Sequence, residues 1–203
     1  MNYVALQVKT SYSLLESLND IKKLVSKAKD LGYTSLAITD HNNMFGVMEF
    51  YLECKKMGIK PIIGVSLDIN DSSILLYAKN HDGYKNLIRL TTIVSDRNLT
   101  IDDLTYYKDN LVAIMPYCYY DEEVYNIYND IYIGYSTIEE RDKIDKKKVF
   151  INDVLYLEKE DYKYLDYVFM IRDGKTLGNY ELEKYKTNFL PSLDDVLLVS
   201  NDE

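Results

Sequence analysis

Between residues 4 and 69 short apolar runs alternate with stripes of helical period, and this alternation restricts the fold more than any other feature of the chain. Residues 4–8 and 35–39 read as strands. Between them Ile21, Leu24, Val25, Ala28 and Leu31 fall on one helical face, in a segment that Ser17 opens, with Asp20 three residues on, and Gly32 closes. A second stripe within residues 44–57, carried by Val47, Met48, Tyr51 and Leu52, stops at Gly58 before a third apolar run at 61–69. Strands that alternate with helices favour a parallel sheet.

Further strands are expected at 73–78, 111–115, 131–135 and 149–152, and helices at 84–94, 100–107, 121–128, 138–144 and 159–171. Seven parallel-leaning strands are enough to close a barrel. The 203 residues suit one domain with a core that needs no staples. The single-domain reading runs over residues 1–203, with 1–178 as the barrel proper and 179–203 as the start of a connection to a further region; residues 196–199 look strand-like. Two cysteines, Cys54 and Cys118, far apart in sequence, point to a reducing, cytoplasmic setting rather than to disulfides or a zinc ribbon. No run reaches the roughly 18 apolar residues of a spanning helix, so no membrane association is expected. A formal net charge of -9, with lysines scattered among acids, argues against strong DNA binding. The charge run at 139–148 reads as solvated surface, and His81 sits in a polar His-Asp-Gly turn flanked by Lys79 and Lys85.

The run Asp40-His41-Asn42-Asn43-Met44-Phe45-Gly46, then a helix, then Gly58-Ile59-Lys60-Pro61-Ile62-Ile63-Gly64, resembles the PHP (polymerase and histidinol phosphatase) domains at the front of bacterial DNA polymerase III alpha subunits. Tyr12-Ser13-Leu14-Leu15, Ala78-Lys79-Asn80, Gly83-Tyr84-Lys85-Asn86-Leu87 and Gly174-Lys175-Thr176-Leu177 continue the likeness in order. The resemblance implies an α/β fold, a distorted, TIM-like (β/α)7 barrel of seven strands. It also implies a rim where histidines and carboxylates gather up to three metal ions, used in some members to hydrolyse phosphoesters or to proofread DNA.

Adjacent divalent ions need many imidazole and carboxylate donors, so the ligand positions test that chemistry. Where the family alternates histidines along its first strand, this chain has Ala5, Gln7 and Lys9. Glu16 stands for an aspartate, Asp40 and His41 persist, and Ser66 replaces a glutamate. Asp153 persists, while Leu155 and Leu165 take histidine positions. At the fifth strand either Cys118 or Tyr117 occupies the family's cysteine position. Asp40 also reads as a helix-capping residue and His41 as a hydrogen-bonded rim histidine. Lys9 either neutralises the remaining acids or leans into solvent.

What the resemblance then implies is a vestigial centre with no catalytic residue and no cofactor, the alternative being one zinc or manganese ion on His41, Asp153 and Glu16. The expected role is a structural and interaction module in DNA replication, set against the polymerase core of the same chain. A proofreading exonuclease subunit and other replisome subunits are further candidate partners. The alternative activity is a residual phosphoesterase or 3'-5' exonuclease. DNA-directed polymerisation, a nucleotidyl transfer, belongs to a magnesium-binding palm that this segment lacks.

Overall fold

The computed structural model of the chain describes residues 3–176 and 181–200. Leu177, the last residue of one matching motif, and part of the 179–203 connection lie outside the described residues.

Helix α1 (Ile21–Asp30) forms as the pattern predicts, burying Ile21, Leu24, Val25 and Ala28. Its cap is Asp20, whose side chain accepts from the Lys23 N–H. Ser17 does not open the helix; its hydroxyl lies 2.9 Å from the Lys9 carbonyl and 3.0 Å from that of Leu155. Strand β1 (Ser35–Ile38) is followed by α2 (Val47–Met57), which Gly58 ends in the left-handed conformation at φ 70°. Strand β2 (Lys60–Ile69) pairs parallel to β1. Only Asn70, at φ 51°, and Asp71 separate β2 from β3 (Ser72–Ala78), a link too short for a crossover, so β3 returns antiparallel.

Helix α3 (His81–Asp96) starts earlier than its apolar stripe implies, because the Asn80 side chain accepts from the Asp82 and Gly83 N–H groups; His81 therefore opens the helix rather than forming a turn. Then come α4 (Ile101–Tyr106), β4 (Leu111–Pro116), α5 (Glu122–Tyr125), β5 (Ile131–Tyr135), α6 (Ile138–Lys143) and β6 (Lys148–Phe150). The helix expected over 159–171 is split into a 3-10 segment, Lys159–Tyr164, and α7 (Leu165–Asp173). The strand-like reading of 196–199 is corrected: these residues belong to α8 (Leu193–Ser200), whose start is fixed by Ser192 and Asp195 bonding each other's N–H groups and side chains.

The described strands form one curled sheet of six in the order β1-β2-β3-β4-β5-β6, in which β3 alone runs against the rest. The closed seven-stranded barrel differs from this at its first strand. Residues 5–9 bend at Gln7 and form no regular ladder, only an isolated bridge from Val8 to Val154: Ala5 and Val8 carbonyls accept from Ala37 and Thr39, while Gln7 and Lys9 exchange bonds with Val154. The Val8 N–H goes to the Thr39 hydroxyl at 2.8 Å instead of a backbone carbonyl, which breaks the alternation a strand requires.

Alternate side chains divide between the faces. Leu75, Tyr77 and Ile114 pack inside the curl with Ala37 and Ile151. Ile74, Leu76, Ala113 and Met115 pack outward under α3 and α4, and α1 and α2 cover β1.

Candidate functional site

The parallel strands β1 and β2 bring Asp40, His41 and Ser66 to one place, since His41 and Ser66 form an isolated parallel bridge. Residues 10–16 fold over them in a tight turn, Ser13 N–H to the Thr10 carbonyl and Glu16 N–H to that of Ser13, with Leu15 held at φ 60°. A left-handed leucine is a strained choice, and it delivers Glu16 to the rim.

Asp40 is 1% exposed and is occupied by this turn: it accepts from the Thr10 N–H at 2.6 Å, the Thr10 hydroxyl at 2.8 Å and the Ser13 hydroxyl at 2.6 Å. Burial still raises its pKa above the ordinary carboxylate value, against those three donors. Gly46 lets α2 enter close by; a Cβ there would sit 2.7 Å from Tyr12 Cδ2 and 3.3 Å from Asp40 Oδ2.

Beside this hub lies an ion-pair network. Lys9 Nζ is 2.9 Å from Glu16 Oε2 and 3.7 Å from Asp153 Oδ2. The other Glu16 oxygen contacts His41 Nδ1, and His41 Nε2 is 2.7 Å from Asp68 Oδ2. Asn42, in the left-handed region at φ 55°, donates from its side chain to Asp68 at 2.9 Å and accepts from the Asp68 N–H at 3.0 Å. Two flanking carboxylates favour the protonated form of His41: hydrogen bonds to Asp68 and Glu16 lift its pKa to about 9 despite burial. Burial alone would raise Glu16, but the His41 hydrogen bond and the Lys9 charge take it down to about 2. Asp68 is lowered by its His41 hydrogen bond. Burial works against the Lys9 ammonium, yet Asp153 and Glu16 outweigh it and the Lys9 pKa rises. Asp153 is raised by burial; its side chain is 29% exposed, but Oδ1 is sealed from solvent with no hydrogen-bond partner.

The sequence-predicted residues thus divide. Lys9, Glu16, His41 and Asp153 meet in the network, and Asp40 sits beside it. The Ser66 hydroxyl turns instead to Ser73 at 3.1 Å. Ala5 is buried in the cluster beneath α1 and α2, and Gln7 is half-buried. Leu155 and Leu165 share one buried apolar cluster with Tyr156 and Phe169. Tyr117 packs on the main core, whereas Cys118 is exposed. Asp68 was not anticipated, although its place two residues after Ser66 on β2 puts it on the same strand face.

The donor set does not fit the polynuclear metal centre that the resemblance implies. Both His41 nitrogens face carboxylates, an ammonium lies between Glu16 and Asp153, and the two leucines at histidine positions are folded into apolar packing. Among the described residues no three His, Cys, Asp or Glu side chains are grouped to hold a metal ion. None of the described helices is long and apolar enough to cross a membrane.

A curled, mostly parallel sheet wrapped by helices, with polar residues gathered past the ends of its first two strands, is the architecture of a PHP-like α/β protein. The chain belongs to the PHP domain family, whose model matches residues 5–166. Within that family it is homologous to DNA polymerase III alpha subunits, proteins of DNA replication. It is 39% identical to the subunit of Halalkalibacterium halodurans over 127 residues, 58% of this chain and 11% of that protein. It is 39% identical to that of Bacillus subtilis over 126 residues, 57% of this chain and 11% of that protein. The match to the Streptococcus pyogenes subunit, 28% identical over 182 residues, takes in 87% of this chain and 18% of that protein. The chain therefore spans between a tenth and a fifth of these curated relatives. Among solved structures, a proposed metal-dependent phosphoesterase from Bifidobacterium adolescentis shares the fold with a TM-score of 0.55 at 13% identity, covering 75% of this chain and 87% of the other.

Proposed function

We propose that this chain is a non-catalytic, metal-free PHP domain that serves a DNA polymerase III alpha subunit as a structural and interaction module. One observation carries the reading: Leu155 and Leu165, at positions where the resemblance implies imidazole ligands, lie in the same buried apolar cluster. Side chains packed with Tyr156 and Phe169 cannot be exchanged for donors without opening that cluster.

The barrel reading is retained in this proposal, with residues 5–9 as a degenerate seventh strand, supported by their hydrogen bonds to both β1 and Val154. The domain runs over 1–203, and Phe189, Leu190 and Pro191 pack back onto its body through Tyr156, the cluster beneath α1 and α2 and the Tyr33 hydroxyl. Its partners are the polymerase core of the same chain and, on the family pattern, a proofreading exonuclease and other replisome subunits. A net charge of -9 supports protein contacts over strong DNA binding, and the setting is cytoplasmic.

Protein purified without chelator should carry less than one tenth of a metal ion per chain, an order-of-magnitude expectation for a site without spare donors. It should release neither phosphate nor nucleotides from DNA ends in manganese. Manganese-dependent turnover that disappears in His41→Ala would establish the residual phosphoesterase or exonuclease instead.

A further inference from the structure

We infer that Lys9 is a tethered cation that does the electrostatic work of a metal ion at this rim, so that removing its ammonium exposes a site for a free divalent cation. The inference rests on the metal-free reading above and gives its physical basis.

Three carboxylates, Glu16, Asp68 and Asp153, are linked through two side-chain cations, Lys9 and His41. The cations are not equivalent. His41 joins Glu16 to Asp68, toward the more exposed side of the network, where the Asp68 side chain is 48% exposed. Lys9 joins Glu16 to Asp153, with its own side chain only 17% exposed. Lys9 alone therefore separates two acids that water screens poorly, and like charges at such a place repel strongly. Asp40 lies at the edge of this balance: the Thr10 and Ser13 donors occupy its oxygens, and the Lys9 charge acts on it only as the smallest of its influences.

Asp153 marks where a replacement ion would bind. Its Oδ2 faces the ammonium, and its buried Oδ1 has no partner at all. An orphaned carboxylate oxygen is costly, and here it lies on the acid that the ammonium approaches less closely, 3.7 Å against 2.9 Å for Glu16. Without the ammonium, Glu16 Oε2 and Asp153 become oxygen donors facing a gap. Oxygen donors suit a hard divalent ion such as Mn2+.

The test compares the wild-type chain with Lys9→Gln and Lys9→Arg, each with EDTA and with MnCl2, reading Tm and Mn2+ bound by electron paramagnetic resonance. Wild type and Lys9→Arg should show the same Tm in both buffers. Lys9→Gln should melt roughly 2–4 °C lower in EDTA, the shift that losing one partly buried ion pair produces in a chain of this size. With Mn2+ it should bind about one ion and recover the lost degrees. A lowered Tm without Mn2+ uptake would reduce Lys9 to an ordinary ion-pair partner and overturn the inference, as would an unchanged Tm. Uptake of Mn2+ by the wild-type chain would overturn the metal-free reading itself, a different outcome from silence in Lys9→Gln. If Lys9→Gln fails to fold in either buffer, the double variant Lys9→Gln with Asp153→Asn decides. Folding of that variant without metal supports the charge balance, and failure refutes it.

Discussion

The two ends of the curled sheet are built on different physics. Past the C-terminal ends of β1 and β2, Lys9, Glu16, His41, Asp68 and Asp153 form a chain of ion pairs. At the N-terminal ends of the parallel strands opens a cavity of about 770 Å³, lined chiefly by Leu6, Ile62, Tyr77, Ile114, Tyr132 and Val149, with no carboxylate in its wall. Charges at the first end share partners, Glu16 with both Lys9 and His41, so one substitution there alters the groups it contacts. Side chains at the second end are held mainly by volume and area, with the Tyr77 hydroxyl on the Leu6 carbonyl as a polar tie, so most substitutions there act separately. A substitution at the rim therefore needs a new charge partner, whereas the mouth tolerates changes of size and shape.

The largest effect that sharpens this contrast is expected at the inner wall. Leu75 is fully buried between the two ends, and Leu75→Ala should cost about 2–5 kcal/mol in urea unfolding, from lost transfer energy plus the cavity left behind. Glu16→Gln should cost less, about 1–2 kcal/mol, because its pairs keep some contact with water. A rim variant that costs as much as Leu75→Ala would show that charge, not packing, dominates the stability of this sheet.

The next effect is on pH dependence. His41 has a folded pKa raised to about 9 from 6.5, so its stabilisation is complete below about pH 6.5 and fades as pH climbs through about 9. Glu16 is lowered to about 2 from 4.5, so its contribution is complete above about pH 4.5 and fades as pH falls through about 2. Together the pair is strongest between about pH 4.5 and 6.5. Asp40 and Asp153, both raised by burial, oppose the acid limb, so the alkaline limb gives the cleaner reading. Stability should drop by about 1–2 kcal/mol between pH 6 and 9.5, after allowance for solvent screening. His41→Gln should remove that drop, and an unaltered profile would show that the imidazolium is not part of the network.

Much of the fold was legible because it depends on local periodicity. Helix α1 came from its spacing, with Asp20 rather than Ser17 as its cap, and the helix–Gly58–strand unit at β2 from spacing and Gly58. The first strand was not legible as irregular, since the diversion of the Val8 N–H to the Thr39 hydroxyl is a contact across 31 positions. Residues 196–199 misled because an apolar run of that length suits either period, and the deciding signal lay upstream in Ser192 and Asp195. At the site, residues other than imidazoles at positions 5, 7, 9, 155 and 165 were visible by residue type, and the Lys9 partners were among the expected alternatives. Asp68 escaped notice because the resemblance pointed to Ser66 on that strand; only alternation along β2 connects the two.

The smallest expected effect tests whether the two ends are mechanically independent. Tyr77 reaches across the inner face and donates its hydroxyl proton to the Leu6 carbonyl at 2.9 Å, tying β3 to the segment whose far end carries Lys9. Tyr77→Phe keeps the ring against Gly64 and leaves that carbonyl without its donor, which should cost about 0.5–1.5 kcal/mol. The same segment is held at the rim by other bonds: the Val154 N–H to the Gln7 carbonyl at 2.9 Å, the Thr39 N–H to that of Val8 at 2.8 Å, and the Lys9 ion pairs. Because these bonds do not pass through Tyr77, amide exchange should quicken at Ala37, which donates to Ala5 at 3.2 Å, and stay unchanged at Val154 and Thr39. Equal acceleration at all three amides would mean that residues 5–9 open as one unit. The polar rim would then depend on a phenol at the apolar mouth, and the separation between the two ends would fail.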